Sequence, residues 1–251
     1  MLNGLKLNGP AFLASVTTAA EAAIVLLCGA DIIDGKDPSR GALGALSLET
    51  IRAIVRAVDG RAATSATIGD LPSSAANMVP AAQAVASTGV DFVKAGFFGD
   101  GPHREAIAAL GAADLGRARL AGVLMADLEP DFELIGAMAK AGFAGVMLDT
   151  AGKAEGGLRH SLTAHRIAEF VRVARSHNLV CGLAGSLGAA DIEPLIAFGP
   201  GILGFRGALC AGGRTGTLDA ARVQSIATAV KVPATQPSER SRNMLLERPL
   251  A

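Results

Sequence analysis

One pattern restricts the fold of this chain more than any other: a glycine followed at once by a short apolar run, returning four times. It occurs as Gly29-Ala30-Asp31-Ile32-Ile33, Gly89-Val90-Asp91-Phe92-Val93, Gly142-Phe143-Ala144-Gly145-Val146-Met147-Leu148 and Gly199-Pro200-Gly201-Ile202-Leu203. Each glycine closes an Ala-, Leu- and Ile-rich stretch at helical spacing, where a left-handed residue commonly ends a helix. The run that follows is too short for a helix and reads as a strand buried on both faces. The glycines lie 60, 53 and 57 residues apart. A strand with its crossover helix takes about 30 residues, so each interval has room for two such units.

The intervening strands are expected at Ala11 to Val16, Ala62 to Ile68, Arg119 to Met125 and Leu179 to Ala184. Helical spacing follows at Thr18–Leu27, Leu48–Val58, Ala75–Ser87, His103–Ala113, Asp131–Ala141, Ala164–Ser176, Ala189–Phe198 and Leu218–Val230. Eight alternating units predict a single-domain parallel (β/α)₈ barrel over residues 1–233, with an open doubly wound sheet as the structural alternative. Ala234 to Ala251 break the pattern with Pro, Ser and Arg and read as a tail, either mobile or clasping a second subunit through Met244-Leu245-Leu246.

Composition narrows function. The 23 acidic residues balance the 23 basic ones, so no global field draws the chain to nucleic acid or an acidic membrane, and neither partner is expected. There is no tyrosine and no tryptophan, which removes tyrosine acid–base chemistry and most base stacking. Cys28, Cys181 and Cys210 are far apart and odd in number, which speaks for a reducing compartment. The apolar runs Ala11–Val16 and Ile24–Cys28 are too short for a signal peptide or a membrane span. A cytoplasmic protein is expected. His103, His160, His165 and His177 lack metal-ligand spacing, and no GxGxxG, P-loop or HExxH motif is present; no metal and no cofactor is expected.

Of the 23 basic residues only six are lysines, at 6, 36, 94, 140, 153 and 231. Three of these fall where strands end, which is where barrels carry their chemistry. Asp34 and Lys36 close the second strand and share a face at a spacing of two. Lys94 closes the fourth; Asp149 closes the sixth, with Lys153 soon after. Such a set suits amine catalysis on a carbonyl. A free lysine has a pKa of about 10.4, and partial burial with a second ammonium nearby is expected to release the neutral amine for a Schiff base. Lys36 and Lys94 are the expected pair, with Asp34 or Asp149 relaying protons. Asp31 and Asp91 begin strands and belong to the opposite, stabilising face.

The seventh and eighth strands end in small residues, Gly185-Ser186 and Arg206-Gly207-Ala208. Backbone N–H groups there are expected to bind a phosphate, with Arg206 or Ser186 adding donors. Gly212-Gly213-Arg214-Thr215-Gly216 reads as a mobile loop over that site. Ser65 and Thr67 share one face of the third strand and are placed to hydrogen-bond a hydroxylated substrate, or else form a polar layer without function.

Several of these segments together resemble one family. Gly29-Ala-Asp-Ile-Ile-Asp-Gly-Lys-Asp-Pro38, Ser65-Ala-Thr-Ile-Gly-Asp70, Asp91-Phe-Val-Lys-Ala-Gly96, Met147-Leu-Asp-Thr-Ala-Gly-Lys153, Leu183-Ala-Gly-Ser186 and Gly204-Phe-Arg-Gly-Ala208 are similar to the (5-formylfuran-3-yl)methyl phosphate synthases. These are furan-forming enzymes of methanofuran biosynthesis in methanogens, with relatives in methylotrophic bacteria. The resemblance spans roughly residues 11–230. It implies a lyase that condenses two molecules of glyceraldehyde 3-phosphate, releasing phosphate and water, with an enamine of the first attacking the aldehyde of the second. It further implies that Lys36 carries the Schiff base, that Lys94 accepts the proton, and that Asp34, Asp149 and Lys153 support them. The chain departs from the family around the fifth strand, where a further family lysine is replaced by Arg117 and Arg119; the second substrate's handling is expected to differ there. Two other readings stay open: a Schiff-base aldolase on another phosphorylated sugar, and a non-catalytic phosphate-binding barrel. A homo-oligomer is expected from the apolar helices and the tail.

Overall fold

The computed structural model describes residues 9–152 and 157–231. Eight strands lie in parallel in chain order: β1 (Ala11–Val16), β2 (Ile32–Gly35), β3 (Ala63–Thr67), β4 (Phe92–Gly96), β5 (Arg119–Met125), β6 (Gly145–Asp149), β7 (Val180–Leu183) and β8 (Ile202–Phe205). Each pairs with the next, and β8 closes on β1, with Ala11 opposite Ile202. The sheet is therefore a closed single-domain (β/α)₈ barrel and not an open doubly wound one. Around it run α1 (Ala19–Leu27), α2 (Leu48–Val58), α3 (Ala75–Ala86), α4 (His103–Ala112), α5 (Leu134–Lys140), α6 (Leu158–Ser161), α7 (Ala164–Ser176), α8 (Ala189–Ile196) and α9 (Ala220–Lys231). After β8 comes a small hairpin, β9 (Cys210–Ala211) against β10 (Thr217–Leu218). None of the described helices is long and apolar enough to cross a membrane. The tail from Ala234, including Met244–Leu246, lies outside the described residues.

The helices begin where the chain supplies a cap. The side chains of Thr18, Ser47, Ser74 and Thr163 accept hydrogen bonds from the third backbone N–H of α1, α2, α3 and α7, each such cap contributing about 1 kcal/mol. The fifth helix starts at Leu134, three residues after the expected Asp131. Asp131 turns its carboxylate onto the N–H of Glu133 at 2.8 Å, and this Asx turn holds the segment outside the helix. Neither α6 nor the hairpin was expected, because both are too short for a periodicity to register.

Residues alternate along every strand between two cores. Phe12, Ala14 and Val16 of β1, Ile33 of β2 and Val93 of β4 pack outward under the helices. Leu13, Ile32, Val123, Met147 and Ile202 fill the barrel interior. Gly182 lies where Met147 crosses the barrel: a Cβ there would fall 2.8 Å from the Met147 Cγ.

The same alternation sets the polarity of the two barrel ends. At the N-terminal end, Asp31 accepts a hydrogen bond from the N–H of Phe12 at 2.9 Å, and Asp91 accepts from the N–H and hydroxyl of Thr64 at 2.8 and 2.9 Å. Each carboxylate thus fastens the start of its strand to its neighbour. Arg117 and Arg119 lie at this end too, lining a cleft of about 410 Å³ with Arg61, Asp31 and Asp91. The family lysine expected around the fifth strand therefore has no substitute in Arg119: β5 carries that arginine at its start, while its catalytic end is Leu124 and Met125.

Candidate active site

At the C-terminal end of the barrel a pocket of about 460 Å³ opens among β1, β2, β4, β6, β7 and β8. Lys36, Lys94 and Asp149 line it, with Thr150, Gly185, Ser186, Gly207, Ala208 and Arg214 around the rim. Asp34 lies behind Lys94 and does not itself line the pocket. These strands bring together residues that are 113 positions apart in the case of Lys36 and Asp149. The arrangement follows from a spacing of two: Ile32, Asp34 and Lys36 step inward along β2, Phe92 and Lys94 along β4, Met147 and Asp149 along β6.

Charges alternate across the pocket. Lys94 Nζ lies 3.0 Å from Asp34 Oδ2, and Lys36 Nζ lies 3.0 Å from Asp149 Oδ2. Asp34 is fully buried and Lys94 is 3% exposed. Asp34 also accepts from Ser65 Oγ at 2.6 Å and Ser15 Oγ at 3.1 Å, so both of its oxygens are hydrogen-bonded. Asp149 Oδ1 accepts from the Thr150 N–H at 2.8 Å. A buried charge without a partner is costly, and here each has one.

The electrostatics reverse one expectation from the sequence. Burial disfavours the Lys36 ammonium, but the Asp149 and Asp34 carboxylates outweigh it and hold Lys36 above the ordinary lysine value. Each ammonium is matched to a carboxylate, so the nearness of two lysines does not free the amine in the resting site. Burial likewise works against the Asp34 carboxylate, yet Lys94, Lys36 and the Ser65 hydroxyl win and keep it below its ordinary value. What the site offers is an ammonium with a carboxylate in proton-transfer reach, twice over.

Several other residues singled out from sequence have roles of their own. The Ser65 hydroxyl is spent on Asp34, and that of Thr67 donates to the carbonyl of Gly44 at 3.1 Å, steadying the loop after β2. Both are buried and neither lines the pocket of about 460 Å³. Gly185 and Ser186 form the turn after β7, with φ of +104° and +52°. A Cβ at Gly185 would stand 2.8 Å from the Thr150 Cγ2, so only glycine lets the turn close against the β6 loop. Gly207 and Ala208 line the pocket from a short 3-10 turn (Gly207–Leu209).

Arg206 lines the pocket but has no N–H to spare. Its guanidinium grips Glu21 through Nη1 and Nη2 at 2.6 and 3.1 Å, and donates to the carbonyls of Ser15, Arg214 and Gly216. Against the expectation, all five donors are taken up by the protein. Burial opposes the Glu21 charge, but Arg206 and Thr17 hold the carboxyl below its ordinary value. Lys153 lies outside the described residues.

Three contributors escaped the sequence reading. Ser15 is the next inward position after Leu13 on β1, so period-two alternation could have found it. Glu21 stands three residues after the cap Thr18, a capping signature. Arg214 carried no local signal beyond its glycine-rich setting. Among the described residues there is no cluster of three or more His, Cys, Asp or Glu placed to hold a metal ion.

Residues 12–227 match the family model described as 4-HFC-P synthase. The chain belongs to that family. It is 44% identical over 223 residues to a Methylorubrum extorquens protein assigned as a (5-formylfuran-3-yl)methyl phosphate synthase, covering 88% of this chain and 92% of the relative. It is 33% identical over 200 residues to the (5-formylfuran-3-yl)methyl phosphate synthase of Methanothermobacter thermautotrophicus, covering 75% and 84%. The chain is thus an enzyme, and its family acts on small molecules. In fold it is similar to phosphoribosyl anthranilate isomerase from Thermus thermophilus, with a TM-score of 0.61 at 14% identity, covering 87% of this chain and 97% of the isomerase. That likeness establishes the barrel alone.

Proposed function

We propose that this synthase-family chain is a lyase that joins two molecules of glyceraldehyde 3-phosphate into (5-formylfuran-3-yl)methyl phosphate through a Schiff base on Lys36. The route serves the making of methanofuran-type cofactors. The observation that carries the reading is the pairing of Lys36 with Asp149 at 3.0 Å in a pocket rimmed by the small residues of the β7 and β8 turns.

The product skeleton dictates the order of events. The amine of Lys36, its proton passed to Asp149, adds to the aldehyde of the first triose phosphate, and loss of water leaves the imine. Lys94 takes the proton from the adjacent carbon, having passed its own to Asp34. The electron pair left behind expels the phosphate from the third carbon and leaves an enol. In the product the phosphomethyl group sits on a ring carbon beside the former phosphate-bearing carbon. The enol carbon therefore attacks the middle carbon of the second molecule, rather than its aldehyde, after a proton has moved from that molecule's second carbon to its first through an enediol and left the carbonyl at the middle position. The terminal hydroxyl of that molecule closes the ring on the remaining carbonyl. Loss of the hemiketal and tertiary hydroxyls as two waters makes the ring aromatic, and imine hydrolysis returns the water lost on imine formation and frees the product and Lys36. The overall balance is two triose phosphates to one furan phosphate, one inorganic phosphate and two waters. Aromaticity draws the sequence forward.

Lys153 is proposed as a supporting residue, and the backbone N–H groups near Gly185, Ser186, Gly207 and Ala208 as the phosphate cradle. We also propose a cytoplasmic homo-oligomer that uses no metal or cofactor. The test is incubation with glyceraldehyde 3-phosphate while following near-ultraviolet absorbance and inorganic phosphate together. With no tryptophan or tyrosine, the protein leaves that window nearly blank. Both signals are expected to rise in a one-to-one ratio. An aldol product formed reversibly, without phosphate release, would assign the chain to the Schiff-base aldolases; binding without turnover would make it a phosphate-binding barrel.

A further inference from the structure

Every N–H of Arg206 is committed to the protein, which leaves the pocket without its expected charged phosphate donor. The other guanidinium in the pocket wall belongs to Arg214. It stands in the turn between β9 and β10, just after Gly212 and Gly213, both at φ of +82°. Its backbone lies over the β8 turn, since a Cβ on Gly207 would come within 3.7 Å of the Arg214 amide nitrogen. Its side chain then reaches across the mouth of the barrel to the loop after β2. There Nη2 donates to the carbonyl of Pro38 and, at 2.9 Å, to that of Gly41.

The remaining donors are unspent. Nε is buried and has no hydrogen-bond partner among the described residues, and no bond from Nη1 to a described residue is formed. A buried guanidinium N–H without an acceptor is costly. It is placed beside a pocket whose other edge is a turn of small residues, and a guanidinium with donors still unspent suits a phosphate oxygen. Arg214 is also close enough to Lys36 for its charge to work against the Lys36 ammonium, so the two cations flank one volume.

We propose that Arg214 binds the phosphate of the triose held on Lys36, and that Arg206 serves to hold Arg214 in position. Arg206 acts through the backbone: its Nε donates to the Arg214 carbonyl at 3.0 Å, while Glu21 fixes its far edge. Glu21, Arg206 and Arg214 form a strut from α1 through the end of β8 to the hairpin. Arg214 extends it to the loop at residues 38–41, whose continuation is anchored on Asp70 through the N–H groups of Ala42 and Leu43 at 2.8 and 2.7 Å. The phosphate is the group whose departure the proposed reaction requires, so a guanidinium at this point both selects a phosphorylated aldehyde and stabilises the charge that develops on leaving.

This inference rests on the Schiff base at Lys36, and the experiment separates the two. Borohydride reduction is carried out with glyceraldehyde 3-phosphate and with unphosphorylated glyceraldehyde, the adduct on Lys36 being measured by mass spectrometry. Wild type, Arg214→Gln and Arg214→Lys are compared. Wild type is expected to trap the phosphorylated aldehyde at much lower concentration. Arg214→Gln should lose roughly 10- to 100-fold of that preference, read as the ratio of phosphorylated to unphosphorylated trapping; Arg214→Lys should restore part of it. Equal weakening with both aldehydes would reduce Arg214 to a loop brace and overturn the proposal, as would an unchanged preference. Calorimetric titration with inorganic phosphate supplies the second readout. If wild type forms no adduct at all, the Schiff base is wrong; a phosphate affinity lowered about tenfold or more by Arg214→Gln would still uphold Arg214, and an equal affinity would remove it.

Discussion

The two ends of this barrel use the same side chains to opposite effect. Asp31 directly precedes β2 and Asp34 lies within it, as Asp91 precedes β4 and Lys94 lies within it, so each strand is flanked by one charged group toward each end. At the N-terminal end the hydrogen-bond donors are backbone N–H groups and a hydroxyl, Phe12 to Asp31 and Thr64 to Asp91, and Asp31 also meets the half-exposed Lys231 ammonium at 3.4 Å. At the C-terminal end the partners are ammonium groups, Lys94 to Asp34 and Lys36 to Asp149. A carboxylate bonded to an amide can only stay as it is. One bonded to an ammonium can take its proton. The difference between a staple and a proton relay therefore lies in how the ammonium is held: the Lys231 and Asp31 side chains are 46% and 16% exposed, those of Lys94 and Asp34 4% and 0%.

Losing Lys36 should have the largest effect on this comparison. Lys36→Ala is expected to abolish the borohydride-trapped adduct and to lower turnover on the order of 10⁴-fold or more, while circular dichroism shows the barrel intact. An adduct that persisted in this variant would place the Schiff base elsewhere. Lys94→Ala comes next. Turnover should fall by about 10²–10⁴ if Lys94 is the proton acceptor, with the adduct on Lys36 still formed. Its loss also strands the buried Asp34, so stability should drop by about 3–5 kcal/mol in urea unfolding. Turnover close to wild type in the folded variant would remove the role.

How much of this was legible in the sequence depends on how far each feature reaches. β1 and β5 match their expected bounds because a strand buried on both faces writes itself into consecutive residues. Asp34, Lys36, Lys94 and Asp149 were legible for a similar local reason, a spacing of two past a strand's apolar run. What could not be read is who meets whom across the barrel. Arg206 is spent because Glu21, 185 residues away, arrives beside it. Lys36 holds its proton more tightly because the Asp149 carboxylate, 113 residues away, lies 3.0 Å from it. The Ser65 hydroxyl donates to Asp34, 31 positions away, at 2.6 Å. Local pattern chose the elements, and long-range pairing chose the chemistry.

The pH dependence sharpens that point. Asp34 is held below its unfolded value, so its contribution to stability is present above about pH 3.9 and is lost as pH falls through its folded value. Lys36 is held above its unfolded value, so its contribution is complete below about pH 10.4 and is lost as pH rises through its folded value. Stability from the catalytic end should thus be flat across the neutral range and fall at both extremes. Adduct formation needs the neutral amine and should rise with pH. Asp149→Asn removes the leading influence that raises Lys36, so the midpoint of adduct formation should move to lower pH. An unmoved midpoint would show that Asp149 does not govern the Lys36 proton.

The smallest effect belongs to the opposite end, and it tests whether the division is real. Asp91→Asn keeps an oxygen able to accept from the Thr64 N–H but gives up the charge that strengthens that bond. The expected cost is about 1 kcal/mol, a fall in Tm of roughly 2–4 °C for a barrel of this size. Turnover, adduct formation and their pH profiles should be unchanged, because the Asp91 side chain fastens β3 to β4 at their start and the pocket opens past their far ends. The matching change at the catalytic end, Asp34→Asn, leaves a buried ammonium facing an amide and should reduce turnover as well as stability. Equal losses of activity from the two substitutions would mean that the barrel transmits strain along its strands, and that its ends are not independent.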